Sequence, residues 1–343
     1  MAPFVGEHGF WEKPVIIHSV RGAEEITLKT FVQAFQDHRC NALVDVQGFS
    51  ATGKRVIATT TNDVLQRITQ GSDLNQAAGK LPMNLLDLRS IRASTALPRF
   101  LNHRRFNTIP VINSRLEMER YNSAGKRSLA ATQVGREVDL TVSTNLCLFG
   151  QRGAFSGFLV DNPGGTWMRN GFDRKVCIFP ATFDDDGASR AKFATNGDDW
   201  VPKALRCVIL EPGDTPIMGS GHDHPHAVLT MEDSHMVGGM YIDRLRVVET
   251  IQQLIWVAQH LEVTNEAIPR QLLARRGVLK DIAFEVQHST AADDFEELSP
   301  RSIGELFLRG VPYPVPMPQV IHPTLSLHQV VSRRHPTGQE TKM

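Results

Sequence analysis

The chain has 343 residues, and its Lys+Arg 37 against Asp+Glu 37 leaves no net charge. With 41% hydrophobic and 22% charged residues it has the make-up of a folded globular protein, which excludes a disordered chain and a broad polybasic surface for nucleic acid. The length predicts one large domain with additions, or two domains sharing a core.

In chain order, residues 1–136 read as an N-terminal α/β flank that ends in an irregular basic segment. Val15-Ile16-Ile17 predicts a short strand; Leu28, Phe31, Val32 and Phe35 predict a helix, and Val64, Leu65 and Ile68 a second one. From Leu81 onward Arg89, Arg92, Arg99, Arg104 and Arg105 cluster, as a solvated loop face or as a patch for an anionic partner. Residues 137–245 change character: β-rich runs at Val138–Phe149, Phe155–Val160, Lys175–Phe179, Leu205–Leu210, Ala227–Met231 and Met236–Ile242 alternate with Gly, Pro, Asn and Asp, the pattern of a sandwich or barrel. Residues 246–310 return to helix. Val247, Val248, Ile251, Leu254, Ile255, Ala258 and Leu261 form one apolar stripe that should pack on the barrel, and Ile268-Pro269 to Leu273 predicts a second helix closing at Gly277. Five prolines from Pro312 to Pro323 mark residues 311–343 as an extended, flexible tail.

Cys40, Cys147, Cys177 and Cys207 form no CxxC pair, so neither a zinc ribbon nor a disulfide framework is expected. Cys147, Cys177 and Cys207 sit in apolar runs, where a free thiol packs as a small hydrophobe. Met1 to Pro14 carries Glu7, His8 and Glu12 in place of a basic stretch and an apolar one, and no apolar run nears the ~20 residues of a bilayer span. These features predict a nuclear or cytoplasmic protein with no membrane partner and no strong nucleic-acid signature.

The strongest chemical signal is Leu210-Glu-Pro-Gly-Asp214, then Ile217-Met218, then Gly221-His-Asp-His-Pro-His-Ala-Val228. A strand closing at a Pro-Gly turn, a second short strand and a histidine opening a third is how a β-barrel aims an imidazole into its mouth. Together with Glu232-Asp-Ser, Val237-Gly-Gly239, Gly153-Ala-Phe-Ser-Gly-Phe-Leu-Val-Asp-Asn-Pro-Gly-Gly-Thr-Trp167 and Lys175–Pro180, this order resembles the JmjC domain family of Fe(II)/2-oxoglutarate oxygenases. The resemblance spans roughly Leu140 to Ile242. It implies a mainly β fold with α flanks: a double-stranded β-helix (jelly roll, cupin-like) core with an N-terminal α/β segment and C-terminal helices. It also implies Fe(II) and 2-oxoglutarate as cofactors and a protein side chain as substrate, commonly on chromatin.

That family holds iron by His-x-Asp/Glu and a distant His, leaving three positions for keto acid and dioxygen. The resemblance puts Asp161 at the carboxylate and His226 at the distal histidine, but Leu159 stands where the first histidine belongs. An isobutyl group has no lone pair, so the leading reading is a degenerate, catalytically silent domain. The alternative is an active dioxygenase with a rearranged site of Asp161, His226 and His224 or His222, because in an extended segment residues 222, 224 and 226 project to one side. For the far carboxylate of 2-oxoglutarate the family position falls on Lys175, with Arg174 as the alternative cation and Ser156 or Tyr121 as the hydroxyl. Asp184-Asp185-Asp186 reads as an exposed loop, Gly164-Gly165 as turn chemistry, and Trp167 and Trp256 as packing aromatics.

Overall fold

The computed structural model describes residues 13–18, 27–39, 43–50, 53–85, 88, 101, 105–124, 143–144, 146–183, 187–266 and 277–288. The N-terminal part contains β1 (Val15–Ile17), α1 (Leu28–Arg39), β2 (Leu43–Ser50), β3 (Gly53–Thr60), α2 (Thr61–Ala77), β4 (Asn84–Leu85) and α3 (Thr108–Ala124). The chain continues through β5 (Leu146–Gly150), β6 (Gly165–Phe172), β7 (Lys175–Pro180), α4 (Ala188–Asn196), β8 (Leu205–Leu210), β9 (Thr215–Met218), β10 (Ala227–Thr230), β11 (Ser234–Tyr241), α5 (Val247–Gln259) and α6 (Gly277–His288).

Two antiparallel sheets form the core. The larger has the order β1-β9-β6-β11-β5-β4-β2-β3 and the smaller β10-β7-β8. Antiparallel bridges Phe155↔Leu229 and Leu159↔His226 add residues 155–159 to the smaller sheet beside β10. Along the chain the strands therefore shuttle between sheets, with β9-β6-β11-β5 facing residues 155–159, β10, β7 and β8. That is a double-stranded β-helix, the jelly roll expected from the sequence. The N-terminal segment extends the large sheet at both edges, through β1 on β9 and β4 on β5.

Period-2 alternation sets what each strand buries. Cys147, Phe149 and His235 turn outward into a cluster with Phe31 and Phe35 of α1 and Val64 and Ile68 of α2, the two helices whose apolar spacing is legible in the sequence. Trp167, Val237 and Tyr241 pack outward against Phe106 and Ile217. At one end, Val247, Val248, Ile251 and Leu254 of α5 close over Leu146, Met240 and Ile242, with Ile109, Ile112 and Leu116 of α3 and Val278, Leu279 and Ile282 of α6. Each such side chain contributes about 1.5–3 kcal/mol on burial.

Several expectations are corrected. The stretch read as irregular contains the 17-residue α3. Its stripe is the sparse Ile109, Ile112, Leu116, and Pro110 falls in the first turn, where no helical hydrogen bond is lost. Arg105 is no surface patch residue: it is buried and its guanidinium grips Asp243 at 2.8 and 2.9 Å. Arg89, Arg92, Arg99 and Arg104 lie outside the described residues, as do Asp184–Asp186, the segment 268–273 and the tail. Gly277 opens a helix and does not close one, because Val278, Leu279 and Ile282 give α6 a buried face from its first turn onward. Gly165, read as turn, starts β6. Among the described residues no helix is long and apolar enough to cross a membrane.

Candidate ligand site in the barrel

The segment before β6 positions the first half of the site. Phe158 and Val160 point outward into a cluster with Phe193, Trp200, Val257 and Val263, so alternation turns Leu159 and Asp161 inward. The Val160 amide donates to the Val263 carbonyl at 2.8 Å and the Asn162 amide to Glu266 at 2.7 Å, which anchors the residues flanking Asp161. Leu159 and His226 face each other directly, each amide donating to the other's carbonyl at 2.9 Å.

His226 is held as a ligating imidazole is held. Its Nδ1 lies 3.0 Å from the His224 carbonyl, an atom that can only accept, so Nδ1 carries the proton. Nε2 is left aimed at Asp161 Oδ2, 3.7 Å away. The Phe179 ring stands 6.4 Å from the imidazole. A facial metal site needs a third protein donor here, and the residues present do not supply one. Leu159 fills that position, 7% exposed, and among the described residues no three His, Cys, Asp or Glu side chains come together to hold a metal.

Nor is the rearranged trio assembled. Gly221 is in a turn at φ +78°, His222 in a bend, and 223–225 are in no regular structure before the bridge at His226, so 222, 224 and 226 do not share one strand face. The loop is tied to helices instead: Arg190 of α4 pairs with Asp223 at 2.5 Å while stacking over Trp256, and Gln253 of α5 donates to the His222 carbonyl at 3.0 Å. The His222 and His224 rings lie 5.7 Å apart. Burial, with His222 and His226 nearby, pushes the His224 imidazole down to about 3, so it is neutral at all ordinary pH.

The other half of the site is a buried cation. Lys175 pairs across strands with Thr230 on one side and Leu210 on the other, and its Nζ donates to Thr230 Oγ1 at 3.3 Å. No carboxylate meets it among the described residues, and burial pushes its ammonium down to about 8. Gly150 makes room: a Cβ there would stand 2.6 Å from Thr230 Oγ1 and 3.2 Å from Lys175 Nζ. Arg174 turns outward to Glu232 at 2.7 Å, which resolves the choice between the two cations as strand alternation requires. Next on the inner face, Cys177 has its thiol raised to about 12 by burial, which makes it inert.

Ser156 is not the hydroxyl of this subsite. Its Oγ donates to the Gly157 carbonyl at 3.0 Å and accepts from the Val228 amide at 2.8 Å, stitching the strands together. Thr230 is the hydroxyl beside Lys175, and the signal for it in the sequence is alternation from His226 through Val228. Tyr121 lies on α3, and its side chain is outside the described residues. Trp167 packs on the outer face of the large sheet. Between the two polar ends, Leu148, Met168, Val208 and Val228 are partly buried and pack against Cys177, Leu210 and Met236.

No protein-family model matches the chain. Over 136 residues, 39% of this chain, it is 30% identical to KK-1 biosynthesis cluster protein D of Curvularia clavata, and the match spans 14% of that protein's length. Two solved structures of YcfD, a ribosomal oxygenase from Escherichia coli, are similar over 86% and 84% of this chain and 68% and 67% of theirs. One of them is in complex with cobalt and succinic acid; identities are 11% and 9%, and TM-scores 0.36 and 0.38.

Proposed function

We propose that this chain is a JmjC-like barrel that has kept the anion-binding half of an Fe(II)/2-oxoglutarate oxygenase site and lost the metal-holding half. In this reading it binds a small dicarboxylate such as 2-oxoglutarate through Lys175 and Thr230 without oxidising a substrate. The observation that carries it is the pairing of Leu159 with His226 across the strands, at the one position where a third donor is needed. A buried lysine answered, among the described residues, only by a hydroxyl is the second support, since such a cation is stabilised by an arriving carboxylate. A protein partner, on chromatin or elsewhere in nucleus or cytoplasm, would then be bound and not modified.

The second reading, an active dioxygenase, is favoured by the His226 geometry, with Nδ1 tied to a carbonyl and Nε2 facing Asp161. Calorimetry on the full chain with 2-oxoglutarate separates the two, with chelator and then with Fe(II) or Mn(II), alongside succinate release. The expected result is metal-independent binding that Lys175→Met abolishes, and no succinate. One metal per chain together with succinate release overturns the proposal.

A further inference from the structure

We infer that the barrel self-associates through the free edge of β8, forming a two-fold dimer with Cys207 on the axis. Among the described residues β8 is the outer strand of the smaller sheet, hydrogen-bonded to β7 on one side only. No strand among the described residues pairs with its other side, which is a template for another strand. Proline and a bulge are missing from Leu205–Leu210, and Arg206 is the one charged residue there. Opposite Pro180, Ile178 and Val176, the residues Leu205, Cys207 and Ile209 turn away from the barrel interior, at 48% and 57% exposure for Leu205 and Ile209. Cys207 is exposed too, although its apolar neighbours in sequence predict a packed thiol.

The second copy is singled out by what self-pairing does to the charges. A two-fold axis perpendicular to the sheet keeps outward residues outward only if a residue, not a peptide bond, lies on the axis. Centring on Arg206 sets two guanidiniums face to face, which is unfavourable. Centring on Cys207 sets Leu205 against the second copy's Ile209 and Arg206 against its Val208. Carried two residues before the strand and one beyond it, the same register brings the exposed Lys203 toward the exposed Glu211 of the other copy, twice by symmetry. Glu211 already lies in the field of Arg174, and it remains on the surface. Centring on Val208 forms no such pair. A six-residue strand makes a modest interface, so the dimer is a transient one.

The test uses the full chain in sedimentation equilibrium with reducing agent present. A monomer–dimer equilibrium is expected that Cys207→Ser leaves in place, since the thiol reports the axis and does not make the contact. Lys203→Glu or Glu211→Lys alone should weaken it about three- to thirty-fold, and the two together should restore it. A mild thiol oxidant should link wild-type chains through Cys207. In a Cys207→Ser background, Ile209→Cys alone should link poorly, and Leu205→Cys with Ile209→Cys should link well, because 205 faces 209. A monomer at the highest soluble concentration overturns the inference, as does a charge swap that fails to restore association. Linking by Ile209→Cys alone as efficient as by Cys207 overturns it as well.

Discussion

The two polar ends of the barrel interior have opposite characters. Around His226 every group is placed for a ligand except one: Asp161 turns inward, the imidazole proton is committed to a carbonyl, and Leu159 occupies the remaining corner. Around Lys175 the ammonium is buried, a hydroxyl and a glycine are fitted to it, and no carboxylate neutralises it among the described residues. Thr230 stands four positions after His226, about 13 Å of strand, so the two ends belong to one interior. A single apolar side chain disables a metal triad because coordination needs three donors at once. In the proposed reading a lysine subsite has no such threshold and survives alone, although it costs stability.

That cost is the largest expected effect. Burial lowers the Lys175 ammonium from 10.5 to about 8, so the unfolded chain holds a proton between those values that the folded chain has released. Stability attributable to this group therefore rises with pH from about 8 to 10.5 and is constant below. Lys175→Met should stabilise the ligand-free protein at pH 7 on the order of 3 kcal/mol. The difference between wild type and variant in denaturant titrations should shrink across that window. A flat difference breaks the comparison, because it means the ammonium is already neutralised. Leu159→His comes next. It restores the third donor opposite His226, and affinity for Mn(II) or Co(II) by calorimetry should rise by about 100-fold, since losing even a group that only orients a ligating side chain costs about 10–100-fold. Asp161→Ala in that background should remove the gain.

How much of this is legible in the sequence depends on the range of the interactions. Strand alternation is local, so Lys175 inward and Arg174 outward are readable, as are Leu159 and Asp161 on one face. The stripe of α5 is legible for the same reason. What escapes depends on cross-strand register or distant partners: Thr230 is named by its pairing with Lys175, and Ser156 is withdrawn by bonds to Val228, 72 residues away. Arg105 reads as surface charge because Asp243, 138 residues on, is invisible to a window. The hairpin of β2 and β3 escapes for a different reason, since Gly48, Phe49 and Ser50 blur the alternation carried by Val44 and Val46.

Gly150→Ala sharpens the Lys175 end by steric means. The added methyl meets Thr230 Oγ1 and Lys175 Nζ inside van der Waals contact, so the lysine must shift or the strands must part. An overpacking cost of about 1–3 kcal/mol is expected, with loss of dicarboxylate binding while the far-ultraviolet spectrum is unchanged. Retained binding would mean that the anion sits elsewhere in the barrel.

The smallest expected effect concerns the extra histidines. His222→Ala combined with His224→Ala, made in the Leu159→His background, should leave metal affinity within a factor of about two, the scale of a change that removes no metal contact. The loop carrying them is fixed by Arg190 on Asp223 and Gln253 on the His222 carbonyl, and neither contact uses an imidazole. The His224 carbonyl that orients His226 belongs to the main chain and survives truncation of the side chain. A large loss of metal binding in the double variant would therefore have one physical meaning: the loop swings an imidazole to the metal, and the end of the barrel described as broken is a site that reassembles on loading.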